Sequence, residues 1–277
     1  MSSDRLRFQE WIEHEIGCTD ISKWDLYKNK LTSYSIDQTR IDIARNELNA
    51  DAISLYTKAF ISCCSGIRDV SNQQIGWGLV KLYYSLFYSS RANLCIRRQG
   101  MVRNKSWYRF DLTSTGIACI ALSSKKYRND HEAALYLYED LYGSSDILLS
   151  NTIDNEKPYD WMMNTRNMVN YRLAHFPDPL TPPNIPSTTN TGSIISVQKT
   201  LESYMDDAQN QLTFQPEHAW LAIPFKQILK CRSEMRIRGI TGTISSKQLD
   251  SIEELSNILP ERANQDLELK KLLTPTD

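Results

Sequence analysis

The sequence predicts an all-α fold, a helical bundle with additional helices toward its C-terminal end. Three observations lead there. Apolar residues recur at three- and four-residue spacing through most of the chain. The segment 77-WGLVKLYYSLFYSSRANLCI-96 is apolar around most of its circumference, as a central core helix would be. Strand-type alternation is sparse.

The elements follow in order. Residues 3–16 and 19–34 read as two short amphipathic helices rich in Trp and Tyr. A longer helix spans 47–70, with Ala52, Leu55, Tyr56, Ala59, Phe60, Cys63 and Ile67 at helical spacing. The helix at 73–98 carries Arg91 on its apolar stripe. Segment 99–128 breaks this rhythm and reads as an irregular or partly extended excursion ending in the basic corner 123-SSKKYR-128. Helix returns at 129–142, with a short turn over 144–150. Residues 158–175 form the next helix, with Pro158 in its first turn and Asp154 and Asn155 upstream as candidate caps. Five of the chain's 10 prolines then fall in 177–193, which reads as an extended connector. Helices are expected again at 194–213, at 216–236 interrupted by Pro224, and at 245–272. The predicted organisation is a helical domain over 1–176, the connector, and a docked helical extension over 194–277.

Composition narrows the function. Of 277 residues, 41% are hydrophobic, and 32 Lys+Arg against 33 Asp+Glu give a net charge of −1. A dedicated duplex-DNA coat would be strongly basic, so any nucleic-acid contact must come from a local patch. No apolar run approaches the roughly 20 residues of a membrane helix, and no signal-peptide core is visible near the start. A cytoplasmic protein with no membrane association is expected. The six cysteines form no C-x-x-C pair, and the four histidines lie on separate segments. With no phosphate loop, nucleophile elbow or dinucleotide fingerprint, neither metal nor cofactor is implied.

The helix at 158–175 is where function is expected. It carries Arg166, Asn167, Asn170, Tyr171, Arg172 and His175, and Arg166 falls within the stripe of Met162, Val169, Leu173 and Phe176. A buried cation needs a partner or a wet cleft, because an isolated buried charge is too costly. Arg166 and Arg91 are therefore either functional or paired with carboxylates such as Asp140, Asp146 or Asp160. His175, near the helix end, suits the dipole there.

The pair 77-WGLVKLYYSLFYSSRANL-94 and 161-WMMNTRNMVNYRLAHF-176 resembles the two signature helices of the HEPN superfamily, all-α domains of prokaryotic toxin–antitoxin, abortive-infection and CRISPR-linked systems. The first matches on Tyr83, Tyr84, Phe87, Arg91 and Ala92. The second matches on Arg166 followed by Asn167, and the likeness spans about residues 48–176. It implies a homodimer or a neighbouring ATPase or nuclease subunit as partner, and a place in antiviral defence or stress response. Catalytic members carry an Arg followed by four to six residues and then a His. Here Tyr171, Arg172 and Leu173 hold those positions, and Tyr171 offers a phenol, a poor proton carrier at neutral pH. On a straight helix His175 would face away from Arg166, about 13 Å along the axis. The resemblance thus implies a non-catalytic helical interaction subunit. One alternative is a divergent metal-independent endoribonuclease using Arg166, Asn167, Tyr171, Arg172 and His175. Another is RNA binding without cleavage through Arg91, Lys125, Lys126, Arg128 and Arg172.

Overall fold

The computed structural model describes residues 5–186 and 192–276. Two long helices, α3 (Gln38–Ser71) and α4 (Ile75–Ile96), are joined by a tight turn in which Gln73 takes a positive φ of 61°. They close on each other beside that turn because Gly66 and Gly78 lack side chains. A Cβ on Gly78 would sit 2.6 Å from Val70 Cγ2 and 2.9 Å from the Gly66 carbonyl oxygen. The chain forms two compact units, whose boundaries cut both helices. The first takes the residues through Leu55 with Ser90–Asp140, and the second takes Tyr56–Ser89 with Leu141–Asp277.

The first unit begins with α1 (Arg7–Glu15), a 3-10 turn at Ile21–Tyr27, α2 (Lys28–Thr32) and β1 (Ser35–Ile36). Four more strands follow α4: β2 (Gln99–Asn104), β3 (Ser106–Asp111), β4 (Gly116–Ile117) and β5 (Cys119–Ala121), and then α5 (Asp130–Tyr142) starts. Strands β2, β3 and β5 form an antiparallel sheet with Val102 opposite Tyr108 and Arg109 opposite Ile120. Lys105, at φ 55°, makes the turn between β2 and β3. The short strand β1 pairs with β4, Ser35 opposite Ile117. Val102, Tyr108 and Phe110 are buried in the core of this unit, and the Trp24 indole N–H donates to the Arg103 carbonyl at 2.7 Å.

The second unit contains α6 (Pro158–Asn167), a π-helical turn at Met168–Arg172, α7 (Ile194–Asp206) and α8 (Pro216–Ile237). It ends in β6 (Gly242–Ser245), α9 (Ser246–Ser256), α10 (Glu261–Leu267), α11 (Leu269–Leu272) and β7 (Leu273–Thr276). Strands β6 and β7 are parallel, Gly242 opposite Leu273. Val197, Leu201 and Tyr204 of α7 are fully buried. Pro224 does not interrupt α8: Trp220, Leu221, Ile223, Phe225 and Ile228 around it are all buried, and packing outweighs the one lost backbone hydrogen bond. The expected helix at 245–272 is instead cut at Pro260 and at Glu268, whose φ is 43°. The first half of the connector is ordered by side chains: Asp178 Oδ1 accepts from the Gly76 N–H at 2.8 Å, and Ile185 is buried. Its remainder at 187–191 lies outside the described residues.

The all-α expectation is overturned. Seven strands in three small sheets among the described residues make this a mostly helical but mixed α/β fold, and it is not the purely helical HEPN bundle. The segment at 99–128, expected to be an irregular or partly extended excursion, holds the largest of these sheets. Its signal is faint for a physical reason: β2 is buried at all positions but Arg103, so apolar and polar residues do not alternate along it.

Candidate functional site: a caged arginine

Pro158 opens α6 at a position where its missing N–H costs nothing, and neither Asp154 nor Asn155 caps it; Lys157 holds the N-cap position without a side-chain bond. Asp154 Oδ2 instead accepts from the Trp161 indole at 3.4 Å. The helix is not continuous to residue 175. It is α-helical to Asn167 and π-helical to Arg172, with the Leu173 N–H bonded to the Met168 carbonyl at 3.0 Å. Leu173 is extended, so His175 stands beyond the helix, exposed.

That π turn builds the site. Along an ordinary α-helix a residue five positions on lies roughly 140° round the axis. The wider turn, bonded from residue i to i+5, carries Tyr171 back over Arg166. The Arg166 guanidinium carbon lies 5.0 Å from the ring centre of Tyr83, 5.6 Å from Tyr84 and 5.7 Å from Tyr171. Arg166 Nη1 donates to Asn167 Oδ1 at 2.7 Å, and Nη2 donates weakly to Tyr84 Oη at 3.4 Å. Nε is buried and has no hydrogen-bond acceptor. The side chain is 9% exposed, and no carboxylate, Asp160 included, lies within ion-pair distance among the described residues. Asp146 pairs instead with Lys230 at 2.5 Å, and Asp140 with Lys126.

The energetics are unbalanced. Removing an ion from water costs several kcal/mol even after relaxation. Each cation–π contact returns about 0.5–2 kcal/mol. Three of them and one good hydrogen bond offset part of that cost and leave the Nε–Nη2 edge, the one that grips an oxyanion bidentately, nearly bare. One wall of the cage is also open, for Tyr171 is 73% exposed.

Of the sequence-derived candidates, Arg166, Asn167 and Tyr171 are brought together. Arg172 and His175 are exposed. Arg91 belongs to the first unit, where its charge acts on the buried Asp51. Lys125, Lys126 and Arg128 are exposed; Lys126 is held by Asp140, and Arg128 Nε donates to the Lys125 carbonyl at 2.9 Å. Tyr83 and Tyr84 were legible as part of an aromatic run, but their role as cage walls was not, since it depends on how α6 packs against α4. No group of three or more metal-ligating side chains is found among the described residues, and no described helix is long and apolar enough to cross a membrane. Comparison with protein families, with curated proteins and with solved structures finds no match. With three sheets in the fold and no relative behind it, the HEPN resemblance does not hold, nor do the defence-subunit, endoribonuclease and RNA-binding roles it implied.

Proposed function

We propose that this protein is a receptor for a small oxyanion, held at Arg166. One observation carries the reading: an arginine nine-tenths buried, with no carboxylate partner among the described residues and a bare Nε. A buried cation in that state is stabilised by an incoming anion more than a solvated one would be, because desolvation has already occurred. The tyrosine cage fixes the plane of the guanidinium, and Asn167 holds its Nη1, so the Nε–Nη2 edge is presented in one orientation.

Thermal unfolding with inorganic phosphate, at ionic strength held constant with chloride, tests this. Saturable stabilisation is expected for the native protein, about 2.7 kcal/mol when phosphate is a hundredfold above its Kd. Arg166→Gln should fold and lose the response. A native protein with no saturable shift, or an Arg166→Gln variant with the same shift, would refute the reading.

A further inference from the structure

The rim of the Arg166 site is aromatic on both helices that form it. Tyr171 lays its ring near the guanidinium while most of its surface faces solvent. On α4, Trp77, Tyr84 and Tyr88 fall at i, i+7 and i+11 and so share a helix face. The rings of Tyr84 and Tyr88 lie 6.0 Å apart. Trp77 is 50% exposed and packs on Phe176 with ring centres 5.0 Å apart. Exposed aromatic surface of this kind is costly to leave in water, and at Tyr84 and Tyr171 it borders an uncompensated cation. Positive charge fixes the sign of the ligand, and the flanking rings fix what is attached to the charge.

We propose that the oxyanion is borne on an aromatic ring: the ligand is an aryl phosphate, its phosphate on the Nε–Nη2 edge of Arg166 and its ring against Tyr171. This rests on the oxyanion reading above. An aliphatic phosphate would satisfy Arg166 equally well but would leave Tyr171 as exposed as before. Nε is shielded from solvent, so a wall must move to admit the phosphate. Tyr171 is the least buried of the three walls and sits on the π turn rather than on a regular helix. Its displacement exchanges a ring–guanidinium contact for a ring–ring contact with the ligand.

Calorimetric titration with phenyl phosphate, cyclohexyl phosphate and inorganic phosphate is the test. Phenyl phosphate is expected to bind about tenfold more tightly than cyclohexyl phosphate, the size of one aromatic pair. Tyr171→Trp should keep that preference, and Tyr171→Leu should abolish it while still binding inorganic phosphate. Equal affinity for the two esters, with phosphate still bound, would overturn the aryl assignment and leave the oxyanion reading standing. A preference that persists in Tyr171→Leu would overturn the role of Tyr171. Failure of all three ligands to bind the native protein would sink both readings together.

Discussion

Asp51, on α3, reaches back to the start of α1: its Oδ2 accepts from the Phe8 N–H at 3.0 Å and its Oδ1 from the Arg7 N–H at 2.6 Å. These are first-turn donors that the helix cannot satisfy internally. The carboxyl is 3% exposed, and burial pushes its pKa up to about 6, against the two N–H donors and the Arg91 charge, which pull it down, and with Glu47 adding to the rise.

A raised carboxyl favours the protonated folded state. Its contribution is therefore full below the unfolded value of 3.8 and is lost as pH rises through about 6. Relative to Asp51→Asn, which lacks the titration, the native protein should gain about 2 kcal/mol between pH 7.5 and pH 4. Urea midpoints of both proteins across that range check it. A difference that stays constant, or moves in favour of Asp51→Asn toward acid, would contradict the assignment.

At the α3–α4 crossing, Gly78→Ala should destabilise by about 1–3 kcal/mol, because the new methyl meets the Gly66 carbonyl, which is backbone and cannot rotate away. Thermal unfolding of the variant is sufficient. Unchanged stability would mean that the two helices separate at little cost.

Lys230→Met should cost about 3 kcal/mol, since Asp146, almost fully buried, loses the ammonium 2.5 Å away. Adding Asp146→Asn should restore part of the loss, as Asn keeps an acceptor for the Leu148 N–H. If the double variant is no more stable than the single one, the pair is not coupled.

Arg166→Met is expected to behave in the opposite sense. With no ligand present it replaces an uncompensated cation by an apolar chain of similar length, and unfolding should be unchanged or shifted upward by about 1 kcal/mol. Phosphate should no longer stabilise it. A large loss of stability in the ligand-free variant would show that the tyrosine contacts alone fully compensate the charge.

Much of this molecule was legible from residue spacing. The periodicity of Leu79, Leu82, Tyr83 and Leu86 marked α4, and all four are fully buried. Arg166 stood out because a cation interrupted an apolar stripe, and it is buried with no carboxylate partner among the described residues. The strands escaped for two reasons. β1 and β4 have two residues each, too few for any period to register, and β2 is buried on both faces. The π turn escaped because 168-MVNYR-172 contains nothing that an α-helix would refuse. Its geometry comes from packing, so the meeting of Tyr171 with Arg166 could not be read from spacing.

The same turn has a bearing on how this stretch of chain tolerates changes in length. In an unbroken α-helix the neighbour that stacks over a residue is the fourth one along, and here it is the fifth. The segment therefore carries one residue more than the cage requires. Deleting Asn170 would put the tyrosine four positions from Arg166 and let a regular helix hold the same ring in the same place. What would shift is the exit: the extended stretch from Leu173 to Phe176 would begin one residue earlier, and the stack of Phe176 on Trp77 would have to be found anew.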